Sequence, residues 1–201
     1  MKAPSLDSNP RYAEFREVLA AHPEWLKPWT GALFRFQTID FPTASDIISG
    51  AGARERGGRW NPPGLAAVYG SSTDTTALEE CKAHDRYYGV VTKSPRVLVA
   101  VEARLTKVLD LTSAGVRRAL DITLKELAAE DWRKLMQTRR ESQSQALGRA
   151  AAAVGASGLL ARSSAVFKGI NGVVFPHAHH GDRLAVVEGE KLSRLGVRLN
   201  A

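Results

Sequence analysis

An α+β fold with one strand-rich layer is what this sequence of 201 residues predicts, and three observations carry the prediction. Strand-like apolar segments lie in the first half of the chain and again in its last quarter. A helix-forming stretch at about 112–155 separates them. Gly, Asn, His and Asp punctuate the C-terminal segments at turn spacing.

Pro10 suits the first turn of a short helix in which Tyr12, Phe15, Val18 and Leu19 share a face, while residues 1–9 are polar and read as a loose arm. Pro23 and Pro28 end that pattern. Ala32–Gln37 is the first predicted strand, with Leu33, Arg35 and Gln37 on one face and Phe34 and Phe36 on the other. Residues 38–64 hold too many Gly, Pro, Ser and Asp for a long element. Leu65–Tyr69 reads as a second strand, followed by a capped helix at about 75–87. At 100° per residue Ala77, Cys81, His84 and Tyr88 form its buried stripe; Glu80 lies about 60° from Ala77 and Glu79 about 160° away. Of the two acids, only Glu80 can reach a cleft. His84 follows it by one helical turn and is placed to touch it.

Arg96–Val101 and Lys107–Leu111 read as two further strands, and 112–154 as helical, closing with a helix from about Ser142 to Gly155. Strands follow at Gly158–Ser164, Gly172–Phe175 and Leu184–Val187. The expected organisation is an N-terminal helical extension at 1–30 and a single catalytic domain at 31–201.

The hydrophobic fraction of 44% is ordinary for a globular chain, and no apolar run is long enough for a membrane span. The N-terminus lacks the apolar core of a signal peptide, so a cytoplasmic location with no membrane partner is expected. The single cysteine, Cys81, excludes an internal disulfide and a multi-thiolate metal site. A net charge of +7 points to an anionic partner. The basic residues are scattered, which argues against direct nucleic-acid binding.

One stretch stands out chemically: Gly57-Gly58-Arg59-Trp60-Asn61-Pro62-Pro63-Gly64, a cation and an aromatic between glycines and prolines. It reads as a preformed cradle or, alternatively, as a structured loop whose Trp60 plugs a core gap while Arg59 points to water. His177, His179 and His180 are a lone histidine cluster without acidic or thiolate companions, so no metal is expected. No P-loop, nucleophile elbow or dinucleotide glycine fingerprint is present. Arg35, Arg59, Tyr69, Glu80 and the Ser163-Ser164 pair remain. Two cations, an aromatic and a carboxylate suit a phosphate-bearing, ring-containing substrate that passes through a cationic transition state.

Arg35, Gly57-Gly58-Arg59-Trp60-Asn61, Val68-Tyr69, Ala77-Leu78-Glu79-Glu80 with His84, Ser144-Gln145-Ala146-Leu147-Gly148, Ser163-Ser164-Ala165-Val166 and Asn171 together resemble, in order, the RES-domain family over about 34–187. The resemblance implies an ADP-ribosyltransferase-like split, mixed β-sheet core and a toxin of a type II toxin-antitoxin system. Such a toxin consumes NAD as substrate, degrading it or transferring ADP-ribose to a protein acceptor. It is neutralised by an Xre-like antitoxin, in a heterotetramer or larger complex. Carried over by position, the resemblance implies Glu80, Tyr69 and Arg35 as catalytic, and Arg35, Arg59, Asn61, Tyr69, Ser164 and Asn171 as contacts to NAD. The family often carries proline before its serine, where this chain has Ser163, so Ser163 and Ser164 both stay open. In the expected mechanism Arg35 and Arg59 bind the diphosphate and Tyr69 borders the nicotinamide. Glu80 stabilises the oxocarbenium-like centre, and Ser164 bonds the ribose or the amide. The alternatives are a nucleic-acid-directed toxin and a non-catalytic binding module, the latter favoured if Arg35, Tyr69 and Glu80 do not converge.

Overall fold

The computed structural model describes residues 6–38, 43–89, 95–176 and 181–190. Six strands carry the fold: β1 (Leu26–Thr38), β2 (Val68–Ser71), β3 (Arg96–Asp110), β4 (Gly158–Arg162), β5 (Ile170–Val174) and β6 (Arg183–Val186). They pair in the order β1-β2-β5-β4-β3-β6, and β1 also pairs with β3, so five strands close on themselves with β6 outside along β3. The sheet is mixed, because β3 and β4 run parallel while the other pairs are antiparallel.

The strands expected at 96–101 and 107–111 are one strand. β1 runs beside it from the Leu26–Leu109 pair to the Thr38–Arg96 pair, and this long partner holds the middle in the ladder. The charges that made 102–106 look like a break sit on the outer side of the alternation: Glu102 and Arg104 are exposed, whereas Val101, Ala103 and Leu105 are buried. Because β1 starts at Leu26, the boundary expected at residue 30 falls inside a strand.

The helices are α1 (Tyr12–Ala21), α2 (Ala44–Ile48), α3 (Ala51–Arg56), α4 (Asp74–Tyr88), α5 (Ala114–Ala119), α6 (Leu124–Ala129), α7 (Trp132–Gln137) and α8 (Gln143–Ala153). Thr43 with Asp46, Thr123 with Glu126 and Ser142 with Gln145 form reciprocal capping boxes, which is why such short segments hold helical ends. α1 buries Phe15 and Leu19 completely, in the same core as Ala146, Leu147, Ala150 and Ala151 of α8. Burial of each large side chain is worth about 1.5–3 kcal/mol, so α1 belongs to the main core. The loose arm expected before it is also fixed from Asp7 on: Asp7 bridges to Arg140, and the Asn9 amide donates to Glu141 Oε2 at 2.9 Å. Residues 1–5 lie outside the described residues.

Three apolar clusters pack on the strands, the smallest being Ile47 with Val99 and Val101. Leu33, Val68, Ala103, Leu105, Val108 and Val174 form one cluster, whereas Leu109, Leu159, Ala161 and Val173 belong to another with α1 and α8. The stripe expected on α4 is buried only at its start. Ala77 is 5% exposed, Cys81 is half-buried, and His84 and Tyr88 are exposed. The second half of α4 instead presents its aromatic rings to α7.

Candidate active site

The stretch Gly57–Gly64 is a loop tied from within. Asn61 is fully buried, and its amide donates to the carbonyls of Ala53 at 2.9 Å and Leu65 at 2.7 Å. Its Oδ1 accepts from the Tyr69 hydroxyl at 2.6 Å, and that hydroxyl accepts from the Trp60 amide at 2.9 Å. Burial pushes the Tyr69 phenol up, so it stays protonated and keeps donating to Asn61. Gly58 is required here by space: a Cβ would lie 2.5 Å from the Tyr69 hydroxyl. Asn61 and Tyr69, both expected to touch the substrate, therefore have their polar atoms engaged in the loop.

α8 closes the loop from below. Gln145, fully buried, donates to the Gly58 carbonyl at 2.9 Å. Gly148 lets the Trp60 carbonyl approach so closely that a Cβ would sit 1.8 Å from its oxygen. Trp60 itself is 4% exposed within the main core. Arg59 is thereby turned away from the core, donating to the Ser164 hydroxyl and to the Leu127 carbonyl of α6. Burial lowers the Arg59 guanidinium pKa, opposed by the charges of Glu80 and Glu130 and reinforced by Arg133.

Glu80 projects from α4 toward β5 and the turn after β4. Its Oε1 accepts from the Ser163 hydroxyl and from the Asn171 amide, both at 2.6 Å. Asn171 is oriented in turn by Ser71, whose hydroxyl donates to Asn171 Oδ1 at 2.7 Å and leaves the amide for Glu80. Both bonds fall on Oε1, and Oε2 makes none among the described residues. Glu79, as the helical angle requires, faces away and pairs with Lys82 at 2.8 Å. His84 packs against Tyr88, with ring centroids 4.9 Å apart.

The two serines have different partners. Ser163 holds Glu80 and also accepts from the amides of Ala165 and Val166 at 3.0 Å, which pins the turn. Ser164 is exposed and meets Arg59.

Arg35 stands apart. Phe34 is paired with Ser71 and Ser71 with Asn171, so these three share a face. Strand alternation sends Arg35 to the opposite face. There its Nη1 donates to the Ile47 carbonyl at 3.2 Å, and burial lowers its pKa with no acidic partner among the described residues. Sequence reasoning passed over Ser71 and Glu130. Ser71 carried a usable signal, since it lies two residues beyond Tyr69 on the same strand face. Glu130 carried none: it caps α8, accepting from the Ser144 amide at 3.0 Å. The histidine cluster at 177–180 lies outside the described residues. Among the described residues no group of His, Cys, Asp or Glu is arranged to hold a metal, and no helix is long and apolar enough to cross a membrane.

A closed mixed sheet, a glycine-pinned arginine loop and a helix-borne carboxylate held by serine and asparagine define the class: the RES domain model matches residues 32–194, and the chain belongs to that family. Among curated proteins, the NAD(+) phosphorylases MbcT of Mycobacterium bovis and of Mycobacterium tuberculosis strain H37Rv are each 31% identical over 94 residues. That match covers 43% of this chain, and the chain spans half the length of these relatives, 50%. The crystal structure of the Mycobacterium tuberculosis MbcT-MbcA toxin-antitoxin complex is similar with a TM-score of 0.66 and 21% identity, over 91% of this chain and 99% of that one. At that identity the likeness shows the α+β fold.

Proposed function

We propose that this chain consumes NAD by breaking the nicotinamide–ribose bond, and that it is the toxin of a toxin-antitoxin pair. The observation that carries the proposal is the Glu80 carboxylate, anchored at Oε1 by Ser163 and Asn171 and set in the field of Arg59. A fixed carboxylate stabilises positive charge that develops as a glycosidic C–N bond lengthens, with no reorganisation during the reaction. Nicotinamide leaves as a neutral molecule. Arg59, steered by Ser164, offers charge-assisted donors to a phosphate oxygen. Arg35 stays in the proposal for its own reason, because a desolvated guanidinium with one carbonyl acceptor is stabilised by any anion that reaches it. Tyr69 and Asn61 act through the loop they hold.

Phosphate is the favoured acceptor, since the partial relatives are named NAD(+) phosphorylases. A phosphate oxygen then bonds the ribose carbon that nicotinamide vacates, giving ADP-ribose 1″-phosphate. The sheet is read as ADP-ribosyltransferase-like, the neutralising partner as an Xre-like antitoxin, and the compartment as the cytoplasm. Mass spectrometry of products formed from NAD, with and without phosphate and with a lysate as protein source, tests the acceptor. The expected product carries the added phosphate. Free ADP-ribose alone, or ADP-ribose on protein, replaces phosphorolysis with hydrolysis or transfer, and no nicotinamide under any condition refutes NAD cleavage.

A further inference from the structure

The helical insert holds the arginine loop from two sides, and one carboxylate joins those sides. Arg59 donates to the Leu127 carbonyl, which lies in the last turn of α6, where helix carbonyls lack partners of their own and favour a cation. From the other side α8 seats the loop: Gln145 donates to the Gly58 carbonyl at 2.9 Å, and Gly148 admits the Trp60 carbonyl. The aim of Arg59 therefore depends on how α6 stands against α8.

Glu130 ties the two helices together. It is the C-terminal cap of α6, and its carboxylate accepts from the Gln143 amide, from the Ser144 amide at 3.0 Å and from the Ser144 hydroxyl at 2.6 Å. Gln143 and Ser144 open α8, so their amides have no carbonyl partner inside the helix, and a carboxylate placed there is stabilised by the helix dipole. The next amide, of Gln145, goes to the Ser142 hydroxyl at 3.1 Å, and Gln145 Oε1 accepts in return from the Ser142 amide at 3.1 Å. This exchange leaves the Gln145 side-chain nitrogen for Gly58. Because Ser142 already caps α8, Glu130 does more than start the helix: it binds the end of α6 to the end of α8 from which Gln145 reaches the loop. Leu127 and Leu147 also share the main core, but apolar contact is non-directional and does not set a carbonyl to hydrogen-bonding precision.

We infer that Glu130 is a positioning residue for Arg59. By locking the end of α6 to the start of α8 it keeps the Leu127 carbonyl where Arg59 meets it, and so keeps the guanidinium aimed at a phosphate of the substrate. The identity of that substrate rests on the NAD-consuming reading; the lock itself does not.

Modification of the full chain with phenylglyoxal, followed by peptide mass spectrometry, reads the seat of half-buried Arg59 without any substrate. Glu130→Ala is expected to speed modification of Arg59 about tenfold, the equivalent of one lost hydrogen bond to a charged group, with exposed Arg104 of β3 unchanged. Glu130→Gln, which keeps one acceptor oxygen, is expected to fall between the two. Calorimetric titration with ADP-ribose then reads the consequence. Glu130→Ala should weaken binding about tenfold when Arg59 is present and leave it unchanged in Arg59→Gln, since a residue that acts through Arg59 then has nothing to position. Should Glu130→Ala fail to fold, Glu130→Gln carries both comparisons with the same outcomes. Unchanged modification of Arg59 overturns the inference, as does an equal loss of ADP-ribose affinity with and without Arg59. Faster modification of Arg59 in a protein that binds no ADP-ribose and releases no nicotinamide separates the two claims: the positioning stands and the NAD-cleaving reading fails.

Discussion

Arg59 and Arg35 are both half-buried cations, yet the chain treats them in opposite ways. Arg59 sits on a loop that Asn61, Tyr69, Gln145 and Gly148 hold from three directions, and it shares its surroundings with Glu80 and Ser164. Arg35 lies across the sheet, with a backbone carbonyl as its bonded partner and Ile47 and Val99 beside it. The first arginine is positioned by a polar network; the second is a half-buried charge bonded to one backbone carbonyl. What differs is the scaffold, and each arm of the comparison can be disturbed separately.

The largest expected effect is on the seat of Arg59. Gly148→Ala places a methyl against the Trp60 carbonyl, which should destabilise the protein by about 3 kcal/mol and displace the arginine loop while leaving the Arg35 side intact. Denaturant unfolding measures the first effect. Arg59→Gln should reduce nicotinamide release by roughly 10²-fold with little change in melting temperature, read from steady-state kinetics. Arg35→Met disturbs the other arm. Replacing a half-buried charge that has a carbonyl as its partner should leave stability little changed while NAD turnover falls. Unchanged turnover in that variant would make Arg35 a purely structural residue.

The smallest effect concerns His84, which packs on Tyr88 in the second half of α4. Burial, followed by the charge of Arg133, holds it below the ordinary value of 6.5, against the opposing charge of Asp85. The folded protein thus binds this proton less readily than the unfolded chain. Its contribution to stability is complete above 6.5 and is lost as pH falls through 6.5 toward the folded value. His84→Gln should flatten that acid limb in a series of thermal melts, with stability at higher pH little altered.

Much of this arrangement was legible in residue order. The helical angle between Glu79 and Glu80 separated the solvent-facing acid from the inward one, because a helix face follows from spacing alone. A core-packing role for Trp60 was also legible from local chemistry, and its ring lies in the main core. The roles of Asn61 and Tyr69 did not, because their hydrogen-bond partners, Ala53, Leu65 and each other, are chosen by tertiary closure. Ser144-Gln145-Ala146-Leu147-Gly148 was visible as a motif, yet its purpose appears only where α8 meets the loop. In β3, Glu102 and Arg104 disguised a single long strand as two, since local composition does not reveal the β1 partner that spans them. Arg35 was placed correctly on the face of Leu33, but residue order does not say that Ser71 and Asn171 share the other face.

The proposed role of Glu80 is that its carboxylate, held at one oxygen, stabilises the breaking nicotinamide–ribose bond. Nicotinamide release by Glu80→Gln is its most direct measurement, because the amide keeps the shape and an oxygen acceptor for Ser163 and Asn171 but removes the charge. Release should fall roughly 10²–10³-fold with the melting temperature preserved. Release at the wild-type rate would contradict it.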